Sequence, residues 1–132
     1  MRTFFIGLLL AASAAPIAAQ GSPSLGAGIS REGLLRDDLE FGGREAIQAR
    51  VDFEPGAIAS RHSHPGAELV YVLSGTFEYR LDGQPPKTLK AGDVLFIPAG
   101  AVHAVENKGT GKASELATYI VDKAKPLIDL AE

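Results

Sequence analysis

From Ala46 onward the chain alternates in short runs. Ala46 to Phe53 sets Ile47, Ala49, Val51 and Phe53 on one face against Gln48, Arg50 and Asp52 on the other, the period of a half-buried strand. Thr76 to Leu81 repeats the pattern, with Phe77, Tyr79 and Leu81 opposite Glu78 and Arg80. Asp82-Gly83 then signals a hairpin, Pro85-Pro86 extends the turn, and Lys87 to Leu89 begins a return strand that Ala91-Gly92 ends. Apolar runs at Leu69 to Leu73 and Val94 to Ile97 read as further strands. So does Glu115 to Asp122, where Leu116, Ile120 and Val121 surround Thr118 and Tyr119. Pro126 breaks that run, leaving Leu127 to Leu130 as an edge strand or frayed tail. No segment keeps a helical period over several turns, and no internal repeat stands out. Many short strands with Gly and Pro turns predict an all-β fold, a small antiparallel barrel or sandwich.

The chain before Ala46 reads differently. Arg2, the apolar stretch Phe4 to Ala12 and the small residues Ala14 to Ala19 have the form of an export signal, with cleavage expected after Ala19 or, as an alternative, after Ala14. The apolar stretch is too short for a membrane span. Gln20 to Gly28 is Gly- and Ser-rich and reads as a flexible tail, and Ile29 to Phe41, with Leu34, Leu35 and Leu39 among charges, as a short strand or helical turn covering a barrel edge or reaching a partner subunit. The expected organisation is a signal peptide at 1–19, an N-terminal segment at 20–44, one barrel domain at 45–122 and a tail or edge strand at 123–132. An exported protein, periplasmic or secreted, follows.

Composition narrows the partners. The 132 residues are 45% hydrophobic and 22% charged, enough for one core, with a net charge of −3 and no basic cluster. Nucleic acid and anionic membrane surfaces are therefore poor partners. No cysteine occurs, so neither a disulfide nor a cysteine-linked lipid is expected.

All three histidines fall in two pieces of chain, Gly56 to Gly75 and Gly92 to Asn107. His62 and His64 are two residues apart, so on an extended segment both imidazoles project from one face. Pro65 and Gly66 then break the strand, and Glu68 can return to the same side. His103 follows the Pro98-Ala99-Gly100 turn, where a hairpin-rich fold could bring it opposite the first two. Three neutral imidazoles and one carboxylate suit a divalent first-row metal such as Mn, Fe, Co, Ni or Zn. A thiolate-type structural zinc cage is excluded.

The two pieces read Gly-x5-His-x-His-x3-Glu-x6-Gly and Gly-x5-Pro-x-Gly-x2-His-x3-Asn. They resemble the paired motifs of the cupin superfamily at every fixed position, over roughly Glu45 to Asp122. The resemblance implies a single small antiparallel β-barrel, or jelly roll, whose metal is held by His62, His64, Glu68 and His103. It leaves activity open, because that fold serves many chemistries. One reading is a metalloenzyme, dioxygenase- or isomerase-like, in which the metal takes a small oxygenated substrate and Glu68 also accepts a proton. The alternative is a noncatalytic module that holds a metal with a small carboxylate or sugar. The analogy leans to the enzyme, and it also implies a homodimer paired through sheet edges.

Other residues near the motifs invite roles. Tyr71, Tyr79, Tyr119, Gln48, Arg50 and Thr118 are candidates for lining a barrel mouth. Asn107 is expected to tie its own loop in preference to orienting His103. Arg61, next to His62 on an extended segment, should point away into solvent.

Overall fold

The computed structural model describes residues 23–132, so the expected export signal lies outside the described residues. Ten strands form: β1 (Ile29–Asp38), β2 (Arg44–Phe53), β3 (Ile58–Ser63), β4 (Gly66–Ser74), β5 (Thr76–Leu81), β6 (Lys87–Lys90), β7 (Val94–Ile97), β8 (His103–Asn107), β9 (Ala113–Asp122) and β10 (Asp129–Leu130). No helix occurs among the described residues. The strands build two five-stranded antiparallel sheets, ordered β1-β2-β9-β4-β7 and β10-β3-β8-β5-β6. The chain passes repeatedly from one sheet to the other and closes a jelly roll, as the turn and strand pattern predicts.

The predicted alternation of β2 and β5 is the alternation of the core. Ile47, Ala49, Val51 and Phe53 face inward from β2, and Phe77, Tyr79 and Leu81 from β5. Where both faces of a strand are apolar, the structure supplies what the pattern leaves open. On β4, Val70 and Val72 are buried while Leu69, Tyr71 and Leu73 lie outside, so Glu68, in phase with the valines, points in. On β7, Ile97 is buried while Val94 and Phe96 are 65% and 60% exposed.

Three segments take more order than the pattern fixes. Ile29 to Phe41 resolves into the strand β1, paired with β2 across a register shift between Gly33 and Leu35. Leu127 to Leu130 contributes the two-residue strand β10, paired with β3. His103 to Asn107, which the apolar pattern does not mark as a strand, is β8, lying between β3 and β5.

Two glycines permit the close packing of these strands. A Cβ on Gly66 would sit 2.0 Å from the Ile120 carbonyl oxygen, so only glycine lets β4 start hard against β9. Gly75 has φ +82°, and a Cβ there would come within 2.5 Å of the Ala113 side chain. Asn107 ties its own loop, as expected. Its buried amide nitrogen donates to the carbonyls of Phe53 (3.1 Å), Glu54 (3.1 Å) and Gly111 (2.9 Å), and its oxygen accepts from the Gly109 amide (2.9 Å). Asn107→Ala leaves these buried groups without partners, so a loss of about 3 kcal/mol is expected in urea unfolding. A loss below about 1 kcal/mol would remove the structural role assigned to this side chain.

Candidate metal centre

The site forms at one end of the barrel and joins the two sheets. His62, one residue before the end of β3, lies directly opposite His103 at the start of β8, with ring centroids 4.3 Å apart. His64 follows the end of β3, and its ring lies 5.0 Å from His62 and 5.3 Å from His103. Glu68 comes across from the other sheet, on β4 between Ile97 of β7 and Tyr119 of β9. All four side chains are buried. The three imidazoles can each offer a ring nitrogen within 4.8 Å of the others, a group that could hold a metal ion.

Backbone carbonyls stand behind the rings. His62 Nδ1 lies 2.6 Å from the Ser60 oxygen, His64 Nδ1 2.7 Å from that of Leu127, and His103 Nδ1 3.0 Å from that of Ala101. A carbonyl can only accept, so each Nδ1 carries a hydrogen and each Nε2 faces the centre, with a lone pair for a metal whenever the ring is neutral. Glu68 Oε2 lies 3.2 Å from His64 Nε2 and 3.3 Å from His103 Nε2. Those contacts are close but not aligned as hydrogen bonds, and His64 Nε2 and Glu68 Oε2 remain buried without a hydrogen-bond partner. Buried polar atoms are seldom left so. A divalent cation among them would satisfy both, so the donor set fits a metal.

In the metal-free centre, protons on the imidazoles serve as partners of Glu68. Burial pushes the His62 imidazole down to about 4, with the neighbouring His103 adding to the effect, so His62 is neutral near pH 7. Burial alone would raise the Glu68 carboxyl, but contact with His103 and His64 outweighs it and holds Glu68 at about 2, ionised. His103 is moved up despite its burial, because the Glu68 carboxylate stabilises its charged form.

The family description "Cupin domain" matches residues 49–119, more than half of the chain. The chain is a cupin. It is 40% identical over 76 residues to germin-like protein subfamily 2 member 2 of Arabidopsis thaliana, covering 54% of this chain and 35% of that protein. Against the dimethylsulfoniopropionate lyase DddQ of Ruegeria pomeroyi it is 36% identical over 61 residues, covering 46% and 30%. The chain thus spans about a third of the length of these curated relatives. Among solved structures, a cupin-like protein from Thermotoga maritima superimposes with a TM-score of 0.70 at 26% identity, covering 86% of this chain and 84% of that one. An oxalate oxidase in complex with glycolate shares the fold with a TM-score of 0.62 at 24% identity, covering 78% of this chain and 55% of that one.

Within this cupin barrel, the mouth-lining candidates divide. Tyr79 and Tyr119 point inward, and the Tyr119 ring packs edge-on against His64 at 4.8 Å. Gln48, Arg50, Thr118 and Tyr71 do not line the mouth. Gln48 bonds Thr118 (3.1 Å) and Arg50 bonds Asp52 (3.0 Å) and Ser114 (3.1 Å) on the outer face, while Tyr71 is half exposed beside Val94. Strand parity decides this, since each is one residue out of phase with the core. Arg61 points away, pairing with Asp82 at 2.6 Å.

Sequence reasoning missed Glu115. Its carboxylate accepts the Tyr79 hydroxyl across the barrel interior, joining β9 to β5. Burial, with repulsion from Glu68, pushes Glu115 up to about 8, so it is protonated near neutral pH. The available signal was parity with Ala117, Tyr119 and Val121, but Leu116, Thr118 and Ile120 make the opposite parity equally apolar.

Because the folded pKa of Glu115 exceeds the unfolded value, the native state binds the extra proton between pH 4.5 and about 8. Its contribution to stability is complete below that window and is lost as pH rises through it, at up to about 1.4 kcal/mol per pH unit. Glu115→Gln should flatten the fall in urea stability across that range. An unchanged slope would mean that Glu115 is ionised in the native barrel.

Proposed function

We propose that this cupin is an exported metalloenzyme that binds a divalent transition metal through His62, His64, Glu68 and His103 and acts on a small oxygenated organic substrate. The observation that carries this reading is the pair of buried, unpartnered atoms, His64 Nε2 and Glu68 Oε2, at the convergence of three imidazoles whose Nδ1 atoms are already engaged. A metal bound there would supply Lewis acidity or, if redox-active, activation of dioxygen. The names of similar proteins favour a small carboxylate as substrate, since one is a dimethylsulfoniopropionate lyase and another an oxalate oxidase with glycolate bound. Export rests on the form of residues 1–19.

The protein residues divide the work. The imidazoles set the geometry and shed little charge, and Glu68 offsets the charge of the cation. Glu68 is the carboxylate at this centre that would accept a proton from substrate, once free of the cation. The alternative, a noncatalytic module holding a metal and a small carboxylate or sugar, is favoured by one observation. Tyr79 and Glu115 satisfy each other, so neither is free to act as acid or base toward a bound ligand.

The same reading includes a homodimer. Leu69, Tyr71, Val94 and Phe96 form an exposed apolar face on β4 and β7, and among the described residues β1 is an edge strand with Leu34 and Leu35 half exposed. These are surfaces that a second copy would cover. Sedimentation should give twice the chain mass at micromolar concentration; the mass of a single chain would end the dimer proposal.

Metal analysis tests the site directly. A near-stoichiometric transition metal is expected in the purified protein and should be lost from His62→Ala and His103→Ala. Turnover of small hydroxy acids, enols or diketones, abolished in the same variants, would establish the enzyme, whereas stoichiometric ligand binding without turnover would establish the module. A metal-free protein whose folding is unchanged by both substitutions would end both readings.

A further inference from the structure

The carbonyls behind His62 and His103 come from two residues earlier in the chain, Ser60 and Ala101. The one behind His64 belongs to Leu127, 63 residues away. Leu127 lies in the segment that leaves β9 through the turn at Asp122, where the Ala124 amide donates to Asp122 Oδ1 (2.9 Å), and that passes Pro126 before returning to the barrel.

The segment is held at a few points, among them Leu127 against the core and the Glu132 carbonyl, which accepts from Arg61. Ile128 is buried at 6% exposure, Asp129 and Leu130 pair with Ser63 and His62 at a sheet edge, and the Ala131 amide donates to the Arg61 carbonyl at 2.9 Å. Between the segment and the Pro65 and Gly100 turns lies a cavity of about 350 Å³, with His64, Lys125 and Asp129 in its wall. His64 thus borders open space on that side, although its side chain is almost fully covered. The Leu127 oxygen is the one hydrogen-bond partner of its Nδ1, and Tyr119 touches it from another direction.

We propose that Pro126–Leu130 is a positioning strap for the metal centre. The Leu127 carbonyl holds His64 with Nδ1 protonated and Nε2 turned toward Glu68, and docking of the strap sets the affinity of the site. This rests on the metal-binding reading above. A ring released by the strap can exchange tautomers and rotate into the cavity, and binding must then restore one state out of several. Loss of such an orienting partner typically weakens metal binding by about 10–100-fold.

The test compares the full chain with a chain ended after Lys125 and with full-length Ile128→Asp, which places a charge at the buried anchor. In the metal-free proteins, nitrogen NMR of the imidazoles in mildly alkaline buffer should show His64 passing from the Nδ1–H tautomer to a mixture. His103, held by the local Ala101 carbonyl on a strand that β10 does not touch, should be unchanged. Zinc affinity, read by competition with a chromophoric chelator, should fall about 10–100-fold in both variants. Circular dichroism checks the fold, and if the shortened chain does not fold, Ile128→Asp decides. A His64 tautomer unaltered in the folded variants, or an altered tautomer with undiminished zinc affinity, would overturn the strap. If the intact protein binds no zinc or other divalent metal, the metal-binding reading fails, while the tautomer result still decides whether the segment positions His64.

Discussion

A carboxylate buried among three imidazoles is the constraint on which the rest of this structure depends. Taking Glu68 out of water is unfavourable unless opposite charge or donors surround it. Those partners come from the opposite sheet, His103 at the start of β8 and His64 just beyond β3, while Glu68 itself stands on β4. The register between β3 and β8 and that between β4 and β9 must therefore both be correct at one end of the barrel. The Gly66 approach and the short edge strand β10 serve that end by fixing where strands begin and stop, while the Asn107 loop closes the other end of β8.

The interior holds a second carboxyl in the opposite state. Glu115 lies on the same inward face of β9 as Tyr119, four residues away, or about 13 Å along the strand. Near neutral pH Glu68 is ionised, because imidazoles outweigh its burial, and Glu115 is protonated, because burial and the Glu68 charge act together and the Tyr79 hydroxyl only partly offsets them. One fold thus keeps a fixed negative charge at its end and a neutral acid deeper in. Their separate partners, and not their residue type, account for the difference.

Much of this was legible in the chain. The turn residues and the alternation of β2 and β5 predict an all-β barrel, and the histidine spacing identifies the cluster, because both signals rest on the two-residue period of extended chain. The pattern fails where that period carries no contrast. On β4, β7 and β9 both faces are apolar, so parity could not show that Tyr71 and Thr118 lie outside or that Glu115 lies inside. It also fails for β8, whose five residues begin with a histidine and end with an asparagine, and whose strand character comes from pairing on both sides. The Leu127 contact is beyond any local signal, since a carbonyl oxygen is present at every residue and only the fold selects one.

That last point reaches past the geometry. The groups that fix all three imidazoles are main-chain atoms, so no change of side chain at Ser60, Ala101 or Leu127 deletes them. Only a shift in the path of the backbone can do so. The orientation of the rings is therefore buffered against point substitution at those three positions, and the walls around the centre are free to diverge while the cage keeps its form. A scaffold with this property can change the lining of its pocket by ordinary substitution without rebuilding the cage of rings.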